Sequence, residues 1–238
     1  MFKVCKGVKV YYEYSGFGEE TVLLLHGWGT DHTAFAGTQR SLQREGKSVL
    51  SLDFPCFGQS AKAPCDWGVY DFALCVDELI ASLGLKKVAI VAHSFGGRVA
   101  LILSSRDYVT KLALTGCAGM KPRFNLIKWL KIRWYKFKKR LGIANPKGGS
   151  ADFKALDAST RRIFVRVVNT HLDGVLKDVH RPTLLVWGKS DRETPMYMAK
   201  RLNRGIKDSA LVTLRGGHFA YAYQNERFNA MLRAFLNG

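Results

Sequence analysis

The chain is predicted to fold as an α/β protein: a mostly parallel central sheet with helices on both faces, interrupted by one inserted helical segment. Two observations carry that prediction. Short apolar runs alternate with helical stretches over most of the 238 residues, the rhythm of βαβ units. That rhythm breaks once, between Gly119 and about Leu172.

Residues 2–14 read as an antiparallel hairpin that turns near Lys6-Gly7, with Val8, Val10 and Tyr12 on one face. The remaining strands are expected at 21–26, 48–53, 87–93, 111–116, 183–188 and 210–215. Asp71 is placed to cap a helix over Phe72–Leu83, and Gly84 to end it.

Chemistry enters at the strand ends. Ala92-His93-Ser94-Phe95-Gly96-Gly97 follows the apolar run Val88–Val91. Small-x-Ser-x-Gly between a strand and a helix is a nucleophile elbow, with Ser94 projecting from the turn. Ala92 stands where the usual pattern has glycine, and its methyl group is expected to crowd the turn. A buried strand followed by an ordinary Ser-Gly helix start would show the same residues, so the other loops decide. His26-Gly27-Trp28-Gly29 follows Val22–Leu25. Such a loop can aim a backbone N–H into a site, and an oxyanion hole needs two. The amides of Trp28 and Phe95 are the candidates.

A serine hydroxyl also needs a base and a carboxylate to orient that base. Asp191 falls just past the run Thr183–Val186, where ligand and catalytic groups gather in α/β sheets. Glu193 is the weaker competitor. The segment from Asp107 to Asp152 contains no other acid. His218 follows Gly216-Gly217 and is expected on a loop rather than in a core. Among the other histidines, His26 is assigned to support its own loop. His93 is set aside because successive strand side chains point opposite ways. His32, His171 and His180 connect to no chemistry.

The order Ser94, Asp191, His218 resembles the α/β-hydrolase superfamily, from Tyr11 to the C-terminus. Asp53-Phe54-Pro55-Cys56-Phe57-Gly58-Gln59-Ser60 is similar to a loop common in that family, with Cys56 replacing a glycine and Asp53 in a structural turn. The resemblance implies an α/β-hydrolase fold with core parts 1–118 and 173–238 and a helical cap at 119–172. It also implies a serine hydrolase without cofactor or metal. Relatives of this architecture include esterases, thioesterases, lipases, C–C bond hydrolases and cofactor-free haloperoxidases. Ser94 in the elbow speaks against a dehalogenase, which uses aspartate there.

Composition is ordinary except in charge. Apolar residues make up 47% and charged residues 24%, as in soluble globular proteins. No run approaches a membrane span, and the first residues lack a secretory signal. Five cysteines without close metal-ligand spacing suit free thiols and a cytoplasmic setting. Lys plus Arg is 37 against 19 acids, a net charge of +18. Between Lys121 and Ser150 every charged residue is basic: Lys121, Arg123, Lys128, Lys131, Arg133, Lys136, Lys138, Lys139, Arg140 and Lys147. Leu126, Ile127, Leu130, Trp134, Phe137 and Leu141 share one helical stripe among them.

The leading expectation is hydrolysis of a small-molecule carboxylic ester or thioester through an acyl-enzyme on Ser94. The competing one is a binding module on the same scaffold, with Ser94 idle. Its basic cap would dock to an anionic membrane surface, peripherally, or to an acidic protein such as an acyl carrier protein. No recognised nucleic-acid motif is present.

Overall fold

Buried strands of five and six residues make the middle of the sheet. The structure is a computed structural model that describes residues 1–123 and 157–238. The basic segment from Lys128 to Lys147 and its apolar stripe, and with them most of the expected cap, lie outside the described residues.

Eight strands form one sheet among the described residues, in spatial order β1-β2-β4-β3-β5-β6-β7-β8. β1 (Phe2–Cys5) and β2 (Val8–Ser15) are the expected hairpin, and β2 also pairs antiparallel with β4 (Ser48–Leu52). All other pairs are parallel. They join β3 (Thr21–Leu25), β4, β5 (Val88–His93), β6 (Val109–Thr115), β7 (Thr183–Gly188) and β8 (Ser209–Leu214). β6 begins two residues before the expected strand at 111.

β3, β4 and β5 are buried along their whole length, as strands covered on both faces must be. Alternation divides them between two cores. Leu23, Leu25, Ile90 and Ala92 pack on one side with Phe72, Leu79 and Val99. Val22, Leu24, Ala89 and Val91 pack on the other with Phe35, Tyr221 and Phe228.

The helices are α1 (Ala36–Arg44), α2 (Val69–Ser82), α3 (Phe95–Leu103), α4 (Ala158–Asn169), α5 (Met196–Gly205), α6 (Ala220–Tyr223) and α7 (Asn225–Asn237). The expected cap at Asp71 is corrected. α2 begins at Val69, and Asp71 lies inside its first turn, accepting a 2.8 Å hydrogen bond from the Gly68 amide. Gly68 is the N-cap instead, so the helix starts three residues early. An acid inside the first turn satisfies an otherwise orphaned N–H as well as a cap does.

The strand order reverses around β3, since β4 lies on one side of it and β5 on the other. In a parallel sheet the crevice at such a switch point opens at the carboxyl ends of the strands. The loops after β3, β5, β7 and β8 all leave from that edge. Two of them meet closely at Gly188, where a Cβ would lie 2.1 Å from the Gly217 carbonyl oxygen. Backbone cannot yield as a side chain can. Gly188→Ala is expected to cost roughly 2 kcal/mol or more of unfolding free energy in urea titrations. An unchanged midpoint would show that the two loops do not depend on this approach.

Candidate active site

The turn after β5 is strained. Ser94 has φ +49° and ψ −106°, a region non-glycine residues adopt at a cost. The surrounding sequence makes that turn affordable. Gly96 lets the start of α3 pass against β3, where a Cβ would come within 2.3 Å of the Leu25 carbonyl oxygen. A Cβ on Gly97 would meet Cys117 Sγ at 2.5 Å. Ala92, expected to crowd the turn, is instead accommodated. It pairs with Leu25 and Leu114 in the sheet and packs into the core. The tight approaches in this elbow follow the serine.

Asp191 and His218 are brought together from the ends of β7 and β8. His218 Nδ1 lies 2.8 Å from Asp191 Oδ2. Asp191 Oδ1 accepts from the amides of Glu193 and Thr194, both at 2.9 Å, and the Thr194 hydroxyl lies 2.8 Å from Oδ2. Burial alone would raise the Asp191 pKa. The bonds from His218 and Thr194 outweigh it and hold the carboxyl below its ordinary value. Asp191 therefore stays ionised opposite the imidazole. Glu193, the weaker competitor in sequence, stands at the opposite ring nitrogen, its exposed carboxylate 3.5 Å from Nε2.

One expectation about His218 is corrected. Its side chain is 4% exposed, so it sits in packed surroundings. Gly116 and Gly188 let neighbouring backbone close around its loop, and the ring of His93 packs 4.6 Å from its own.

Ser94 and His218 line one cavity of about 270 Å³ with Gly27, Trp28, His93, Phe95, Arg98, Ala118, Phe164, Val167, Val168, Glu193, Thr194 and Phe219. Its walls are mostly apolar. Trp28 and Phe95 both line it, and among the described residues neither backbone N–H donates to a protein acceptor. Two unengaged N–H groups near a serine are what a developing oxyanion requires. Phe164, Val167 and Val168 come from α4, so this helix forms one wall.

Two residues here escaped the sequence. His93 was set aside on strand alternation, yet its Nε2 lies 3.2 Å from the His218 carbonyl oxygen. Its ring lines the same cavity as Ser94, and both lie beside Gly27, where the loop after β8 also arrives. Arg98, one turn into α3, is buried and donates through Nη1 to the carbonyls of Val167 at 2.8 Å and Thr170 at 2.6 Å. It thus ties the last turn of α4 to the helix that follows the candidate nucleophile. A lone arginine in an apolar helix was the only signal.

His26 does brace its loop. Its Nε2 accepts from the Phe54 amide at 2.9 Å, and its Nδ1 lies 2.7 Å from the Gly27 carbonyl. Asp53 occupies a structural turn, accepting from the His32 amide and Nδ1 and from the Gln59 amide, each at 2.7 Å. His32, which connected to nothing in sequence, is its partner. Asp31, His32 and Asp53 are the described residues whose spacing suits a metal, but the Asp53 oxygens are already engaged by these donors.

Fold and site together define a hydrolase scaffold with a serine, an aspartate and a histidine in the order of their strands. Residues 22–231 match the alpha/beta hydrolase family, and the chain belongs to it. It is 28% identical to the uncharacterised hydrolase YugF of Bacillus subtilis, over 97% of this chain and 95% of that protein. It is 29% identical to a 2-hydroxy-6-oxononadienedioate/2-hydroxy-6-oxononatrienedioate hydrolase of Klebsiella pneumoniae, over 96% and 91%. An esterase from Exiguobacterium antarcticum superposes with a TM-score of 0.80 at 24% identity, over 100% of this chain and 99% of its own. No helix among the described residues is long and apolar enough to cross a membrane.

The two buried histidines near the site make stability depend on pH. Burial lowers the pKa of His26 to about 4 and of His93 to about 3, so both are neutral when folded. Unfolded imidazoles take up protons near 6.5. As pH falls below that value the unfolded state binds protons that the native state refuses, and stability drops. Each histidine contributes roughly 1.4 kcal/mol per pH unit over its window, down to its folded pKa. Urea titrations at pH 7, 6 and 5 should show the decline. A flat profile would mean that these rings charge without unfolding.

Proposed function

We propose that the chain is a serine hydrolase that cleaves a carboxylic ester or thioester through an acyl-enzyme on Ser94. The observation that carries this reading is the buried Asp191–His218 pair, 2.8 Å apart, lining the same cavity as a serine held in a strained elbow. His218 Nε2 accepts the Ser94 proton as Oγ attacks the acyl carbon. The amides of Trp28 and Phe95 receive the oxyanion. Asp191 keeps the proton on Nδ1 and stabilises the imidazolium, which then protonates the leaving oxygen or sulfur. Water attacks the acyl-enzyme by the same proton path in reverse. The apolar wall from Phe95, Phe164, Val167, Val168 and Phe219 suits an acyl chain.

A second reading keeps the machinery and changes the substrate. Relatives are named for 2-hydroxy-6-oxononadienedioate, a keto dicarboxylate. The buried guanidinium of Arg98 on the cavity wall is the feature of this chain that favours an anionic substrate of that kind. Cleavage would then fall on a carbon–carbon bond.

A fluorophosphonate probe tests the core of both readings. Wild type should label, and Ser94→Ala should not. Asp191→Asn should lower kcat on an aryl ester by about 10⁴-fold. Equal labelling of wild type and Ser94→Ala would remove the assignment and leave the binding-module reading. The ratio of kcat/KM on neutral butyrate esters to that on a keto dicarboxylate separates the two substrates.

A further inference from the structure

A second concave site lies outside the cavity that holds Ser94. Lys121, Pro122, Arg123, Tyr197, Arg201 and Arg204 line a pocket of about 240 Å³ where the chain after β6 passes α5. Four of these six side chains are cationic. Among the described residues, Asp173 is the one carboxylate paired with any of them, at 3.1 Å from Arg201 Nε. Like charges gathered in one concavity repel one another and concentrate the local field. Solvation alone would favour spreading them over an open face.

The donors are arranged in advance. Arg201 is held by Asp173 and donates through Nη1 to the Lys121 carbonyl at 2.9 Å. Arg204 donates through Nε to the Lys200 carbonyl at 3.2 Å, a contact that does not use its Nη atoms. The Arg123 guanidinium lies 4.7 Å above the Tyr197 ring. The Tyr197 hydroxyl accepts from the Arg123 amide at 3.3 Å and keeps its own proton to donate. Planar guanidinium forks with a hydroxyl beside them match a tetrahedral oxyanion, to which arginine binds through paired N–H groups. A volume of about 240 Å³ has room for a phosphate group.

We propose that this pocket binds the phosphate of a phosphomonoester, carried either by a soluble metabolite or by a lipid. Lys121 and Arg123, the first two charges of the one-signed basic run of the sequence, are part of its lining.

Isothermal titration of the full chain with inorganic phosphate and with glycerol phosphate, at ionic strength held constant with chloride, tests the proposal. Wild type should show saturable binding at one site. The pair Arg123→Ala/Arg204→Ala should weaken it by at least about tenfold, the effect of losing one charged hydrogen bond of usual strength. The pair Arg40→Ala/Arg44→Ala removes the same charge from the exposed face of α1 and should leave binding unchanged. Arg204→Lys keeps the charge without the fork and should fall between. It also preserves the test if the double variant fails to fold by circular dichroism.

Flotation with phosphatidate vesicles, against phosphatidylglycerol vesicles of equal charge, distinguishes the sources. Capture by phosphatidate alone, competed by free phosphate and lost in Arg123→Ala/Arg204→Ala, assigns a lipid head group. Phosphate binding without capture assigns a soluble ester. No saturable heat from either phosphate, or equal losses in the two double variants, would overturn the proposal in favour of general charge attraction.

Discussion

The carboxylate of Asp191 is the point on which the site turns. It is buried, and a buried anion is tolerated only when donors replace the water it has lost. Two backbone amides, the Thr194 hydroxyl and the His218 imidazole do so. Those donors come from two loops, after β7 and β8, so one ionised group holds together segments distant in sequence. The glycines near it are part of the same constraint. Gly116 and Gly188 admit the neighbouring backbone, and at either position a Cβ would press on the His218 ring or on the turn before it.

The charges around this anion are sorted by burial. His26 and His93 brace their loops as neutral rings, one through the Phe54 amide and the other beside the His218 carbonyl. Arg98 keeps its charge in the interior because the end of α4 presents two carbonyls to it, where the helix dipole also favours a cation. This couples α4 to α3 immediately behind Ser94. A shift of α4 would move both a wall of the cavity and the helix that follows the Ser94 turn.

Much of the site was legible because each of its parts is a local pattern. Small residues around Ser94, glycines before His218 and an aspartate just past β7 are signals within a few residues of their strands. Their convergence followed from parallel pairing, which sends every strand end to one edge. Glu193 against Asp191 was harder to decide in sequence, since both occupy the same turn. The structure separates them by ring nitrogen, Nδ1 for Asp191 and Nε2 for Glu193. At the first position of the elbow the effect of a methyl group depends on what packs there. Ala92 has room in the core, whereas Gly96 faces the Leu25 carbonyl.

By itself the sequence determined the strand rhythm, the hairpin, the order of the three candidate residues and the excess of positive charge. Periodicity and turn chemistry act over short stretches and so can be read there. Tertiary structure alone decided which buried polar groups meet. It placed His93 against the loop of His218, gave His32 to Asp53, and set Arg98 under the end of α4. It also gathered Lys121, Arg123, Arg201 and Arg204 around one hollow. The three hydrogen-bonded pairings join residues 21 to 125 positions apart. They depend on the packing of whole elements, which no local pattern records.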